Sequence, residues 1–395
     1  MIKYKNFFIS LLVVAFIFQV SKFYSFYDEY SDWQYADWII NYQGGFIRRG
    51  FVGELLFKVH TFSLINLDIL VLCFVIFLYI ILTIVLIKSL NFLDSSKIDI
   101  LIFLSPGFFL YPIMNSELIG RKEILLFVSL GLIVFFEKCL KDKYLLTTII
   151  LAIFVCSLTH SGLLFYSPYL IFLYFLIRFD RNKKINLLEI CLIIVSLITI
   201  ISLIYFNQGS KIQVVDICNS VKDYVKNDCV NRGQFLVLYA PISEHMNITL
   251  KFKTNLKDYF TIYFSSLMLV FLFFSLKLKS AKFNTNNEYL NRTSPLFIFF
   301  LLFLFTFPIY LLGLDWGRFI SMAYFSSYFI YIFLIKKNNL KFNSKDLFFK
   351  KYISKKLFFI FIILYAFSWT FPFYDASSFK YPFKKPFNQL QKIIN

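Results

Sequence analysis

The sequence predicts an all-α protein, a polytopic bundle of transmembrane helices forming a single integral membrane domain (1–395). Three observations predict it. Hydrophobic residues make up 59% of the chain and charged residues only 16%, against about 25% charged in an ordinary soluble domain. The apolar residues fall in long runs, such as 64–87, 187–205 and 294–312, and runs of roughly 18 or more with few charges read as membrane spans. These runs do not alternate polar with apolar residues, as the strands of a transmembrane barrel would.

The first element is a span over 7–24. Lys3 and Lys5 precede an apolar stretch, which resembles a signal peptide, but "SKFYSFY" follows with no small-residue cleavage site, so it reads as an uncleaved span. Further spans are expected at 64–87, 98–115, 124–137, 144–160, 162–177, 186–206, 256–276, 295–313, 318–335 and 357–371, about eleven in all. The net charge of +18 then becomes a topology signal. With the N-terminus cytoplasmic, the inner segments hold 23 of the 41 basic residues and 8 of the 23 acidic ones, giving about +15 inside and +3 outside. That asymmetry sets the orientation and attracts anionic membrane lipid. It argues against a nucleic-acid partner, since no basic patch lies in a folded soluble domain.

The outer side owns the distinctive segments: 25–63, 115–123, 159–162, 207–255, 314–318 and the tail 372–395. The inner loops carry lysines but no glycine-rich phosphate loop. Cys218 and Cys229 share the large outer loop, where an oxidising compartment would permit a disulfide. His60, His160 and His245 are too scattered for a zinc site and no C-x-x-C occurs, so no metal and no cofactor is expected. The Phe, Ile, Lys, Asn and Tyr usage fits an AT-rich bacterial genome.

Four charged clusters fall at the outer mouths of the spans, where ionisable residues usually have a reason. "NYQGGFIRRGFVGELL" (41–56) pairs Arg48 with Arg49 behind Gly44 and Gly45. The pattern from Phe46 through Phe51, Leu55 and Val59 predicts an interfacial helix, on which adjacent arginines would point about 100° apart. Arginines beside a helix start suit a phosphate or diphosphate; snorkelling anchors are the plainer reading. Glu117 and Arg121, at i and i+4, would share a helix face and pair, with Lys122 and Glu123 beside them. Pro106–Gly107 and Pro112 imply a broken helix before them, and broken helices at depth line cavities. His160 is either a helix terminus or an acid–base group. Asp315 and Arg318, at i and i+3, are either a structural ion pair or part of a site. Trp316 belongs to the aromatic belt or stacks on a sugar. Asp32 and Asp37 add carboxylates near the membrane surface, with Trp33 and Trp38 beside them. Their convergence on one face suggests a cavity with arginines, carboxylates and a histidine.

Such a set suits glycosyl transfer from a lipid diphosphate. Arginines would neutralise the departing diphosphate, and a carboxylate or His160 would take the acceptor's proton. The architecture, with "GGFIRRG" (44–50), "IGRKE" (119–123), "THSG" (159–162) and "LDWGR" (314–318), resembles the bacterial polysaccharide polymerases of the Wzy type, which serve O-antigen and capsule synthesis. The resemblance implies a Wzy-like or GT-C-like bundle that polymerises undecaprenyl-diphosphate-linked oligosaccharide units at the outer face of the inner membrane, with a chain-length regulator as a further partner. It implies that Arg48, Arg49, Arg121 and Arg318 handle diphosphate or glycan; from the residues themselves Lys122 and Trp316 join them as binding candidates, and Asp37, Glu117, His160 and Asp315 are the catalytic candidates. In that family the paired arginines lie in larger outer loops; here the 207–255 loop has only Arg232. The alternatives are another polyprenyl-linked-sugar glycosyltransferase or O-antigen ligase, in which Asp32 and Asp37 would matter most, and a flippase for the lipid-linked oligosaccharide. A flippase would tend to show internal repeats and charges at mid-depth, and neither is apparent. A membrane O-acyltransferase using His160 is the last alternative.

Overall fold

In lipid an unpaired backbone N–H or C=O costs several kcal/mol, and a helix pairs them all within one segment. The apolar runs accordingly become helices. The computed structural model describes residues 2–93, 96–241, 243–244, 246–247, 256–342 and 354–374. Its helices are α1 (Ile2–Asp28), α2 (Phe51–Ser63), α3 (Leu67–Ser89), α4 (Lys97–Phe103), α5 (Tyr111–Met114), α6 (Ile124–Phe136), α7 (Asp142–Thr159), α8 (Ser167–Asp180), α9 (Leu187–Phe206), α10 (Lys211–Ser220), α11 (Gly233–Tyr239), α12 (Leu256–Lys279), α13 (Glu288–Arg292), α14 (Pro295–Leu304), α15 (Phe307–Leu312), α16 (Trp316–Lys336) and α17 (Lys355–Phe367). Strands β1 (Ala281–Phe283) and β2 (Leu340–Phe342) pair antiparallel, with Lys282 opposite Lys341. His245, the end of the 207–255 loop and the tail beyond 374 lie outside the described residues.

Among the described residues, eight helical segments are long and apolar enough to cross a membrane: Lys5–Asp28, Leu67–Ser89, Asp142–Thr159, Ser161–Asp180, Leu187–Phe206, Asp258–Lys279, Pro295–Leu312 and Trp316–Lys336. The other three expected spans are shorter. Residues 98–115 divide into α4, of 7 residues, and α5, of 4, because a proline removes a helix donor and clashes with the preceding turn. The break between them is fully buried, and Ser105 Oγ donates to the Val270 carbonyl at 3.1 Å. The segments 124–137 and 357–371 become α6 and α17, each of 13 residues.

Helix α16 is the centre of the bundle, with 89% of its apolar window buried. It packs against α6, which packs against α3, which packs against α1. Its tyrosines place hydroxyls where no water reaches, so each needs a partner. Tyr324 donates to the Ile102 carbonyl at 2.7 Å, Tyr328 bonds Ser89 Oγ at 2.7 Å, and Tyr331 donates to Asp99 at 2.8 Å. At the other extreme, α9 has only 17% of its window buried and leans on α7.

The helix expected from Phe46 starts later, at Phe51. Gly50, at φ 117°, turns the chain into it, a conformation that favours glycine. Gly53 lets α2 seat directly on the backbone of Trp38 and Ile40, where any Cβ would collide with their carbonyls. Leu55, Val59 and Phe62 are exposed along one stripe while Val52, Glu54 and Leu56 face the bundle. An outward apolar stripe is what a helix lying against lipid presents.

Ion pairs fasten the end opposite α2. Glu137 binds Lys336 at 3.1 Å and Lys337 at 3.0 Å, Lys337 also binds Asp180 at 2.8 Å, and Arg178 binds Glu189 at 3.0 Å. Asp99, wholly buried, holds Lys277 at 3.0 Å. Removing one member of such a pair strands the other charge. Asp99→Ala is therefore expected to destabilise the protein by about 3–5 kcal/mol, and Asp99→Leu with Lys277→Leu to recover most of that. Thermal unfolding in detergent measures both.

Candidate functional site

At the α2 end, the loop before α2, the 115–123 turn, the α7–α8 junction, α11 and the start of α16 converge. Arg318, in the first turn of α16, is buried among three acceptors. Its Nη1 donates to Asp315 Oδ2 at 2.8 Å, and its Nη2 contacts both His160 Nε2, at 2.9 Å, and Glu123 Oε1. The i, i+3 pair expected for Asp315 and Arg318 is thus present. Behind it, Lys122 forms an ion pair with Asp37 Oδ1 at 3.0 Å and donates to the Thr159 carbonyl at 3.1 Å, with the Lys122 and Asp37 side chains buried.

Arg48 and Arg49 do not lie on a helix, because the turn at Gly50 delays α2. They part company instead. Arg48 Nη2 donates to the carbonyls of Val237 at 2.8 Å and Ala240 at 3.2 Å, closing the end of α11. Arg49 Nη1 donates to Gln234 Oε1. Burial first, and then Arg49 alongside, lower Arg48 to about 10, so it is still charged at neutral pH. Burial lowers Arg49 too, with Asp37 opposing.

The expected Glu117–Arg121 ion pair does not form. Residues 116–118 make a 3₁₀ turn, so the α-helical i, i+4 geometry is absent. Arg121 Nε donates to the Glu117 carbonyl at 3.1 Å. Its guanidinium lies between Trp33, at 5.3 Å, and Phe373, at 5.6 Å. Among the described residues, neither Arg49 nor Arg121 makes an ion pair. The carboxylate of Glu117 is exposed.

These groups surround a cavity of about 650 Å³, within the usual range of ligand pockets. Arg48, Arg49, His160, Gln234, Glu244, Asp315 and Arg318 contribute to its polar wall. Leu164, Phe165, Ile201, Ile204, Ile309 and Leu312 form an apolar wall beside the sparsely packed α9. A second cavity of about 60 Å³ touches the far side of Arg318 and is lined by Gln19, Tyr79, Arg121, Glu123 and Ser321 among apolar residues. At about 30 Å³ per water it has room for roughly two.

His160 sits at the junction between α7 and the Ser161–Tyr166 turn, outside both helices. Its Nδ1 faces the Gly162 N–H at 3.2 Å. Burial, then Arg49, Arg318, Lys122 and Arg121, hold it well below the ordinary histidine range, so the ring is neutral at physiological pH.

Of the expected site residues, Arg48, Arg49, His160, Asp315 and Arg318 line the larger cavity and Arg121 the smaller. Asp37 and Lys122 stand behind, paired to each other. Glu117 lines neither cavity. Trp316 also lies elsewhere: its indole donates to the Tyr310 carbonyl at 2.8 Å and its ring packs among Tyr259, Tyr263 and Tyr310. Asp32 pairs with Arg232 at 3.3 Å, and Trp38 donates to the Gly120 carbonyl at 2.6 Å. Glu123 holds Arg318 in a role its spacing did not announce, and Gln234 carried no sequence signal. A disulfide joins Cys218 to Cys229, tying α10 to the turn before α11. Comparison with known proteins finds no matching family model, curated protein or solved structure, so the site is read from its own geometry.

Asp37→Asn leaves Lys122 buried without its counter-charge and is expected to lose about 3–5 kcal/mol of stability. Glu117→Gln, at an exposed position, is expected to stay within about 0.5 kcal/mol. Melting temperature and yield of the purified variants check both.

Proposed function

We propose that this protein is a glycosyltransferase that uses a polyprenyl-diphosphate-linked donor, and specifically a polymerase of undecaprenyl-diphosphate-linked oligosaccharide repeat units, acting at the outer face of a bacterial inner membrane. The observation that carries the reading is the two-sided cavity. One wall holds Arg48, Arg49 and Arg318; the other is apolar and runs along α9, the span least covered by protein. A ligand matching both walls is an amphiphile with an anionic head.

Charge supports a diphosphate. Arg48, Arg49, Arg121, Lys122 and Arg318 face Asp37, Glu123, Asp315 and the exposed Glu244, so cations still outnumber carboxylates by about one. A diphosphate esterified at both ends carries two negative charges. Arg49, which among the described residues is held by a neutral amide and makes no ion pair, is the cation with most to gain. Planar guanidinium suits phosphate oxygens bidentately, and charge growing on the departing diphosphate would strengthen those bonds in the transition state.

In the reaction the bond between the sugar's anomeric carbon and the diphosphate oxygen breaks. The acceptor hydroxyl bonds to that carbon, and its proton passes to a base. Asp315 serves as that base in this account: although it also pairs with Arg318, it lines the larger cavity and is 28% exposed, whereas Asp37 and Glu123 are buried against Lys122 and Arg318. The Cys218–Cys229 disulfide and the lysine-rich opposite end favour an orientation with the cavity outward. The Wzy resemblance supports repeat units as the transferred group and a chain-length regulator as partner.

Arg49→Ala, at normal protein level, is expected to lower transfer by about 10²–10³-fold, as losing one preorganised donor does. Cells carrying it would display lipid-linked single repeat units and no polymer. Arg49→Lys would recover little, since an ammonium lacks the planar fork. Wild-type polymer length in Arg49→Ala, read by gel profile of the surface glycan, would remove Arg49 from the mechanism.

A further inference from the structure

We infer that His160 works as a neutral hydrogen-bond acceptor that aims the Arg318 guanidinium at the cavity, and that it carries no proton in the reaction. This rests on the glycosyl-transfer reading for its activity test, but its geometry stands apart from that reading.

Both ring nitrogens of His160 face donors. Arg318 Nη2 is 2.9 Å from Nε2, and the Gly162 N–H is 3.2 Å from Nδ1. A neutral imidazole offers one lone pair. The guanidinium is the closer donor and is charged, so it takes that lone pair at Nε2, leaving the ring proton on Nδ1. A second proton would have to sit on Nε2, against Arg318.

Every neighbouring element argues the same way. Arg49 reaches in from the loop before α2, Arg121 and Lys122 from the 115–123 turn, and Arg318 from α16. The nearby acids, Glu123 and Asp315, are already bound to Arg318. Tyr166 donates its hydroxyl to the Phe319 carbonyl at 2.9 Å, and Tyr310 stands on α15. The cations among these groups disfavour an imidazolium.

The ring is also held in place. A methyl group at Gly162 would meet His160 Cε1 at 3.1 Å and Nδ1 at 3.2 Å, and Ile309 Cδ1 at 3.0 Å. Glycine at 162 therefore leaves room for the ring to lie across the turn. With His160 removed, Arg318 Nη2 keeps only Glu123, which draws it toward the smaller cavity and away from the larger. His160 is thus a positioning residue for Arg318.

Three substitutions test this. Glutamine sets an amide oxygen near the Nε2 position, asparagine near Nδ1, and alanine neither. His160→Gln is expected to restore transfer to within about threefold of wild type, with an unchanged pH profile from 5.5 to 8. His160→Asn and His160→Ala should each lose about tenfold or more. If His160→Gln is as inactive as His160→Ala, and the wild-type profile has a limb near pH 6–7 that the variants lack, His160 moves a proton and the inference is overturned.

A second measurement needs no activity. The folded state disfavours a charged His160, so its contribution to stability is present above the unfolded histidine value of about 6.5 and is lost as pH falls below it. The melting temperature of wild type should therefore drop more between pH 7.5 and 5.5 than that of His160→Gln. An equal drop, or a smaller one, overturns the inference even if the protein transfers no sugar.

Discussion

The site depends on one buried guanidinium. Arg318 stands at the start of the most buried helix in the bundle and binds Asp315, Glu123 and His160 at once. Those partners come from the residue before α16, the residue before α6 and the residue after α7. One side chain therefore fixes the relative positions of three segments. A charge so buried is tolerable only when it is paired, and breaking such a set is expensive because the surviving charges stay in place. That constraint explains why the apolar core around α6 and α16 carries ionised groups where it meets the cavity.

Arg318 and Lys122 are compensated, and the cavity owes its character to what is not. Arg48 is absorbed into closing α11, while its neighbour Arg49, among the described residues, binds an amide and no carboxylate. Arg121 lies between two aromatic rings instead of beside a carboxylate. The local balance is positive, and the apolar wall beside α9 continues it toward lipid. The same sequence thus builds two kinds of charged end. At the lysine-rich end, Glu137, Asp180, Asp99 and Glu189 each have a cation; at the α2 end, cations outnumber their partners.

What could be read from the sequence was mostly local. Long apolar runs become long helices, the Asp315–Arg318 spacing gives its pair, and Cys218 meets Cys229. The helix break at Pro106–Gly107 was also legible, although not that it would leave only 7 and 4 helical residues. The departures have local causes as well. Gly50 holds Arg48 and Arg49 outside α2, and the 3₁₀ turn at 116–118 keeps Glu117 from Arg121. What no local pattern could reveal were the pairings across the fold: Arg318 with Glu123, Lys122 with Asp37, and Arg49 with Gln234. Each joins segments that meet only when the bundle closes. They decide which of the residues Arg48, Arg49, Asp37 and Asp315 face the cavity and which support it.

The central claim is that this cavity takes a lipid carrying an anionic diphosphate head. It is tested most directly by isothermal titration of the purified protein with geranylgeranyl diphosphate and, separately, with geranylgeraniol. The account predicts that the diphosphate binds at least about 100-fold more tightly than the alcohol, a difference of roughly 2.8 kcal/mol, and that Arg49→Ala removes most of that difference. Equal binding of the two lipids, or an Arg49→Ala protein that prefers the diphosphate as strongly as wild type, would contradict it.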